Sequence, residues 1–230
     1  MKKPIKAIVW DLDGTLIHFK IDFLRARRNA IELLKKSGVP REILTVKFSI
    51  LDNIREARLF FEKTKREPEE VSKILKKVDE AVQKVEREAA LQAKVIDGMQ
   101  EVLKFAKAHH LRQAIYTYNT QKNAELSLQI ANIIDFFDLI IGRDNVNNPK
   151  PHPDHLNLIC ERLGVSPQEV VVIGDSDRDI QGALELGAHS ILILTKISKN
   201  WSKDMIDKAD FMIQETELPS KLIEAIKSLL

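Results

Sequence analysis

Short apolar runs recur along the chain, and each is followed by polar residues and a stretch with helical periodicity. The runs lie at 5–10, 113–117, 139–142, 170–174, 190–194 and 211–213. Apolar spacings of three and four residues predict helices at 99–110, 122–131, 153–163, 179–186 and 219–230. Strands that alternate with helices form a parallel sheet covered on both faces. The pattern therefore predicts a doubly wound, Rossmann-like α/β core, which binds ligands beyond the carboxyl ends of its strands.

The segment 17–94 breaks this alternation, because its pattern is helical throughout. Helices are predicted at 22–37, at 41–63 and from Glu69 onward, where apolar residues at 71, 74, 75, 78, 82, 85 and 89 form one stripe. We interpret 17–94 as an all-helical cap domain inserted between core segments 1–16 and 95–230. The alternative is a coiled-coil dimerisation arm, for which the stripe is too short to be stable independently.

Composition narrows the class of protein. The chain has 230 residues, and its net charge of +2 gives no general attraction to nucleic acid or to a membrane surface. No run approaches the roughly 18 apolar residues of a membrane-spanning helix, so we expect a soluble protein. The single cysteine, Cys160, cannot form an internal disulfide and favours a reducing, cytoplasmic location. It lies on the apolar face of the helix predicted at 153–163, where a buried, inert thiol is expected.

Acidic residues follow two of the predicted strands at the point where each strand ends. Asp11 and Asp13 come directly after the first strand, and Asp175 and Asp179 follow the run 170–174. Because the carboxyl ends of parallel strands meet at one edge of a sheet, these carboxylates would repel each other unless a cation neutralised them. All-oxygen ligands favour Mg²⁺ over zinc or copper. The sequence therefore predicts a magnesium site at this edge.

Other chemistry-bearing residues are expected at the same edge. Thr117 and Lys150 follow two further predicted strands, Gly14 allows close backbone approach, and Thr15 offers a hydroxyl. A carboxylate, an ammonium, a hydroxyl and a cation together suit phosphoryl transfer. Either acidic segment alone would be explained by a turn or a helix cap. Their occurrence together, each at a strand end, favours a functional site.

These residues also carry a resemblance to a known family. Asp-Leu-Asp-Gly-Thr-Leu at 11–16, Thr117, Lys-Pro-His-Pro-Asp at 150–154 and Gly-Asp-Ser-Asp-Arg-Asp at 174–179 resemble the four motifs of the haloacid dehalogenase superfamily of hydrolases, most of which are phosphatases. The motifs extend over nearly the whole chain, and the first and fourth are specific as a pair. Two positions depart from the usual pattern: Tyr118 stands where many family phosphatases have Gly, and Trp10 stands where Phe is usual.

The resemblance implies a role for each motif residue. Asp11 would be the nucleophile that forms an aspartyl-phosphate, and Asp13 would be the general acid and base. Mg²⁺ would be held by the Asp11 carboxylate, the backbone carbonyl of Asp13 and Asp175, with Asp179 as a further ligand or as the holder of metal-bound water. The predicted phosphate- or substrate-binding residues are Thr117, Lys150, Asn119, Gly14 and Thr15. The insertion resembles the family's small α-helical cap, whose closure would exclude water.

Asp13 separates the alternatives within the family. A general acid at that position serves a leaving alcohol, whereas a halide needs no proton, and the dehalogenase branch lacks this Asp. A phosphohexose mutase also forms an aspartyl-phosphate, so a mutase function remains an alternative. A non-catalytic phosphate-binding function remains another. The expected partner is a small phosphorylated metabolite such as phosphoglycolate, a sugar phosphate or a nucleotide, and the chain would be a monomer or a homodimer. None of the six histidines has metal-ligand spacing, and no specific function is predicted for His155.

Overall fold

The computed structural model describes residues 3–18, 20–195 and 202–230, so the first two residues of the predicted core segment 1–16 lie outside it. Within the described residues, six strands form one sheet: Ala7–Trp10 (β1), Arg112–Tyr116 (β2), Leu139–Ile141 (β3), Val170–Gly174 (β4), His189–Leu194 (β5) and Phe211–Gln214 (β6). The sheet order is β3-β2-β1-β4-β5-β6, and every neighbouring pair is parallel. The predicted parallel α/β core is confirmed.

The helices account for most of the remaining described chain. They are Phe23–Lys36 (α1), Ile50–Lys63 (α2), Pro68–Ala90 (α3), Met99–Ala108 (α4), Gln121–Ile130 (α5), Pro153–Leu163 (α6), Asp177–Leu186 (α7), Lys203–Lys208 (α8) and Ser220–Ser228 (α9). The five core helices predicted from periodicity correspond to α4, α5, α6, α7 and α9, whereas the short α8 was not predicted. In the described part of the chain, no helix has both the length and the hydropathy needed to cross a bilayer.

Successive side chains of a strand alternate between the faces of the sheet, and both faces here are buried. In β1, Ala7 and Val9 join a hydrophobic cluster that includes residues of α6 and α7. Ile8 and Trp10 join a second cluster, which includes residues of α4, α5 and α9. The four strand residues are fully buried. Helices therefore cover both faces of the sheet, as the doubly wound prediction requires.

The strand order places a topological switch point between β1 and β4. From β1 the chain continues to β2 and β3 on one side, and it then returns to β4 on the other side. Trp10 at the end of β1 is in register with Ile115 of β2 and Ile173 of β4. The residues that follow these three strands therefore share one edge, where open α/β sheets bind their ligands.

The chain divides into two compact units, Met1–Lys20 with Ala90–Leu230, and Ile21–Ala89. Residues 17–20 and 90–94, which were assigned to the insertion from the sequence, group with the α/β unit. The reason is local pairing: Ile17 forms an antiparallel bridge with Val95, and the backbone N–H of His18 donates to the Lys94 carbonyl at 2.9 Å.

The unit Ile21–Ala89 is helical and has a hydrophobic cluster of its own. Leu34 of α1, Phe61 of α2 and Val78 and Val82 of α3 are buried in that cluster. The central part of the apolar stripe on α3 therefore packs within this unit.

The helix predicted at 41–63 is interrupted in the structure. Arg41–Ile43 forms a single 3₁₀ turn, and α2 begins only after Ser49. The buried Asn53 explains the break, because its side chain accepts the backbone N–H of Thr45 and donates to the carbonyls of Thr45 and Ser49. Ser49 and Asp52 then form a capping box that starts α2.

Candidate active site

Asp11 lies at the end of β1 with its carboxylate almost completely buried. Its backbone N–H continues the sheet by donating to the Ile173 carbonyl at 2.9 Å. One carboxylate oxygen, Oδ1, accepts a hydrogen bond from Lys150 Nζ at 2.5 Å, and Oδ2 accepts one from Thr15 Oγ1 at 3.2 Å. Burial raises the pKa of Asp11 to about 6, because the attraction of Lys150 only partly opposes desolvation and the neighbouring Asp179 adds to it. Two donors thus orient a carboxylate that is shielded from water.

Lys150 connects three of the strand ends. Its ammonium donates to Asp11 Oδ1, to Asp179 Oδ1 at 2.7 Å and to the Tyr116 carbonyl at 2.8 Å, and it lies 4.7 Å from the centroid of the Tyr116 ring. Burial alone would lower the pKa of Lys150, but the charges of Asp11 and Asp179 outweigh desolvation and raise it. The side chain is therefore a fixed cation in contact with the predicted nucleophile.

The segment after β4 brings Asp175 and Asp179 to the same place. Asp175 is 8% exposed and Asp179 is fully buried. At the start of α7, Asp179 Oδ2 accepts from both the backbone N–H and the hydroxyl of Ser176, at 3.1 and 2.6 Å. A Cβ atom on Gly174 would lie 2.4 Å from the Asp179 carboxyl carbon, so only glycine allows this close approach. Both oxygens of Asp179 therefore hold neighbouring groups in place.

The acidic cluster fits the predicted magnesium site. Asp11, Asp175 and Asp179 can each offer one oxygen within 4.8 Å of the others. Three ionised carboxylates stand against the single positive charge of Lys150, which contacts Asp11 and Asp179. A divalent cation would balance this excess of negative charge. Gly14 has a φ of +91°, and a Cβ there would lie 2.3 Å from Asp175 Oδ2. The backbone of the first motif thus forms one wall of the cluster, and the donors are all oxygen, the ligand type that Mg²⁺ prefers.

The loop after β2 contributes Thr117 and Asn119. The backbone N–H of Thr117 donates to the Ile141 carbonyl at 3.3 Å, and its hydroxyl oxygen accepts the backbone N–H of Asn119 at 3.1 Å. The Asn119 amide donates to Asp13 Oδ2 at 2.6 Å. Asn119 is predicted to bind phosphate, and in the structure its side chain contacts the predicted general acid.

Tyr118, one of the two positions that depart from the usual motif pattern, lies in this loop. Its carbonyl accepts a hydrogen bond from Arg143 Nη1 at 2.7 Å, and the guanidinium of Arg178 lies 5.0 Å from its ring centroid. The two arginines therefore fix the loop in this chain without a glycine.

Three residues of this region were not identified from the sequence. Tyr116 supports the Lys150 ammonium, Ser176 holds Asp179, and the buried His155 contacts the backbone of Lys150 at 3.3 Å. Only Ser176 had a readable signal, since Ser followed three residues later by Asp resembles a helix-capping pattern. Cys160 is buried, as predicted, and desolvation raises the pKa of its thiol to about 11.

The sequence is similar to a family model and to named relatives. The family model for haloacid dehalogenase-like hydrolases matches residues 8–193. A phosphoglycolate phosphatase from Shigella dysenteriae is 30% identical over 82% of this chain and 81% of its own length. A phosphorylated carbohydrates phosphatase from Thermotoga maritima is 28% identical over 81% of this chain and 84% of its own.

A solved structure supports the fold. The β-phosphoglucomutase from Clostridium difficile superposes with a TM-score of 0.68 at 20% identity, covering 97% of both chains. The family match and the names of the relatives confirm the predicted enzyme class, a hydrolase of the phosphatase type. The chain therefore belongs to the haloacid dehalogenase-like hydrolase family.

Proposed function

We propose that this protein is a Mg²⁺-dependent phosphatase that hydrolyses a small phosphomonoester through an aspartyl-phosphate on Asp11. The observation that supports this most directly is the placement of the Asp11 carboxylate. It is buried between Lys150 and Thr15, and it shares a cluster of oxygen ligands with Asp175 and Asp179. A carboxylate nucleophile, a fixed cation and a metal-ligand set at one sheet edge are the parts that phosphoryl transfer needs.

The residues that would hold the cation belong to the first and fourth motifs. They are the Asp11 carboxylate, the Asp13 backbone carbonyl and Asp175, with Asp179 as a further ligand or as the holder of metal-bound water. When bound, the cation would neutralise phosphate oxygens and so reduce their repulsion by Asp11. The bond from Lys150 to Asp179 leaves lone pairs on that carboxylate, so a ligand role for it is compatible with the contacts described above.

In the first step, a carboxylate oxygen of Asp11 attacks the phosphorus and the bond from phosphorus to the ester oxygen breaks. The leaving oxygen takes a proton from the carboxyl group of Asp13, which Asn119 holds at 2.6 Å. Lys150 and Thr117 bind the oxygens of the transferring group, together with Asn119 and the segment at Gly14 and Thr15. The products are an alcohol and the aspartyl-phosphate.

In the second step, Asp13 is the base. It takes a proton from water, the water oxygen attacks the phosphorus, and the bond from phosphorus to Asp11 breaks. Inorganic phosphate leaves, the Asp11 carboxylate is restored, and Asp13 is again protonated for the next cycle. The same carboxyl group therefore serves both steps with its proton returned.

For the substrate, we propose a small phosphorylated metabolite, with phosphoglycolate as the first compound to test. The support is the Shigella dysenteriae relative, which is named a phosphoglycolate phosphatase and aligns over most of both chains. Sugar phosphates come next, because the Thermotoga maritima relative is named for phosphorylated carbohydrates. Nucleotides complete the panel.

The experiment is phosphate release from this panel, measured with Mg²⁺ and with EDTA, for the wild type, Asp11→Asn and Asp13→Asn. We expect release that requires the metal and that falls by at least about a thousandfold in Asp11→Asn. The exposed Asp135 offers a matched control, because it precedes β3 at the opposite edge of the sheet and Asp135→Asn makes the same chemical change there.

Retention of wild-type turnover by Asp11→Asn would refute the assigned nucleophile. Absence of phosphate release by the wild type, combined with phosphate transfer between positions of a sugar, would replace hydrolysis by a mutase reaction. The two outcomes are distinguished by adding a phosphorylated sugar and following both free phosphate and the sugar isomers.

A further inference from the structure

His155 is a buried histidine that the proposed reaction does not use. It lies in the first turn of α6, five residues after Lys150, and is fully buried. Its Nδ1 is 3.3 Å from the backbone nitrogen of Lys150, and its Nε2 is 3.2 Å from the Ile141 carbonyl oxygen. The backbone N–H can only donate and the carbonyl can only accept. His155 is therefore neutral, with the proton on Nε2.

The contacts of His155 connect it to two predicted site residues. The Ile141 carbonyl, at the end of β3, also accepts the backbone N–H of Thr117 at 3.3 Å. One carbonyl thus joins the backbone of Thr117 to His155, and His155 in turn accepts the backbone N–H of Lys150. The segment that follows β2 and the segment that precedes α6 are therefore both held to the end of β3, the second of them through the His155 ring.

The ring of His155 also supports the other end of the lysine. It packs edge-to-face against Tyr116, with ring centroids 4.5 Å apart and an interplanar angle of 62°. Tyr116 contacts the Lys150 ammonium through both its carbonyl and its ring. His155 therefore contacts the lysine backbone directly and supports the lysine ammonium indirectly, through Tyr116.

We propose that His155 is a positioning residue of the active site, which fixes Lys150 so that its ammonium reaches Asp11 and the transferring phosphate. The inference rests on the proposed phosphatase function. A role in starting α6 does not explain these contacts, because His152 caps that helix by accepting the backbone N–H of Asp154 at 3.3 Å. The Lys150 N–H lies outside the helix and has His155 as its acceptor.

Three substitutions separate the contacts of the ring. In His155→Asn the amide oxygen can take the place of Nδ1 and accept the Lys150 N–H, but nothing reaches Ile141. In His155→Gln the amide nitrogen can take the place of Nε2, but the acceptor for Lys150 is lost. His155→Phe keeps a ring against Tyr116 and loses both hydrogen bonds.

The measurements are kcat and KM for the best substrate of the panel, with thermal unfolding of each variant. We expect kcat to fall by about 10- to 100-fold in His155→Gln and His155→Phe, since small misplacements of a catalytic group cost rates of that order. His155→Asn should keep a kcat closer to the wild type, and KM should change less than kcat throughout. Equal losses in all three variants, or losses that follow the fraction unfolded at the assay temperature, would overturn the proposal.

A second readout does not depend on turnover. Nitrogen-15 NMR of the full chain labelled at histidine should show, at pH 7, one neutral ring protonated on Nε2 whose signals disappear in His155→Asn. If the signals that disappear in His155→Asn come from a ring protonated on Nδ1, the proposal is overturned even if the enzyme is active. If the wild type shows the expected ring but releases no phosphate from any compound, the geometry stands and the proposed function fails.

Discussion

Replacing Lys150 by Met would test whether the site is an electrostatic network. Methionine has a similar length but no charge and no donor, so Lys150→Met removes the three hydrogen bonds to Asp11, Asp179 and the Tyr116 carbonyl. The side chains of Lys150, Asp11 and Asp179 are 4, 9 and 0% exposed, so water cannot replace the lost donor. The two carboxylates would be left buried, close to Asp175, with no compensating cation.

The expected magnitude follows from this burial. Removing one partner of a buried ion pair costs about 3–5 kcal/mol, because the remaining charge stays desolvated. Here one lysine serves two carboxylates, so we expect a loss in the upper part of that range. Lys150→Met combined with Asp179→Asn should be less destabilised than the sum of the single variants, because the second change removes one of the stranded charges.

The assay is urea unfolding in EDTA, followed by circular dichroism and tryptophan fluorescence. Lys221→Met is the matched control: Lys221 Nζ is 2.8 Å from Glu224 Oε2, but the two side chains are 58% and 64% exposed. An exposed pair contributes little, so this variant should keep the wild-type midpoint. A change of less than about 1 kcal/mol in Lys150→Met would refute the view that the buried network depends on the lysine.

Three further variants test other parts of the site. Asp175→Asn should raise the free energy of unfolding in EDTA by up to about 1 kcal/mol, because it removes one carboxylate from a cluster with excess negative charge. It should also abolish the stabilisation by added Mg²⁺. Thermal melts with and without the metal measure both effects. Gly14→Ala should reduce Mg²⁺-activated turnover, because the added Cβ would lie 2.3 Å from Asp175 Oδ2. Gly38→Ala is the control: Gly38 has a φ of +90°, but the nearest atom to an added Cβ is 3.9 Å away. This variant should lose stability without a change in the activation by Mg²⁺. Tyr116→Phe removes a buried hydroxyl that has no hydrogen-bond partner in the described part of the chain. Urea unfolding of this variant should therefore show unchanged or slightly higher stability. A clear loss of stability would show that the hydroxyl has a hydrogen-bond partner in solution.

The parts of the fold that could be predicted are those with strong local signals. The run 170–174 is apolar throughout and forms β4, in which every residue is buried. The bounds of α6 match the prediction because Pro153 suits the first turn and Gly164 ends the helix in a left-handed conformation. By contrast, the break before α2 depends on the side chain of Asn53 reaching Thr45, eight residues away, which periodicity does not detect.

The residues of the site could also be predicted, but their contacts could not. The position of each motif at a strand end follows from the topology of a parallel sheet, so Asp11, Lys150 and Asp175 were identifiable. That Asn119 would hold Asp13, or that Asp179 Oδ1 would accept from Lys150, depends on distances between segments far apart in the chain.

His155 shows most clearly why such contacts escape a single sequence. Five residues separate it from Lys150, fourteen from Ile141 and thirty-nine from Tyr116, and none of these spacings is a periodicity of helix or strand. On the pattern alone it is one more residue at the start of a helix. Only when β2 and β3 lie side by side does a ring at that position meet an acceptor, a donor and an aromatic face together. A neutral histidine satisfies all three, because one ring nitrogen donates while the other accepts, and the neutral form requires no buried charge. In a fold with a different topology the same histidine would be a buried core residue without contacts to the active site. Its proposed role therefore depends on the neighbours that this fold brings to it.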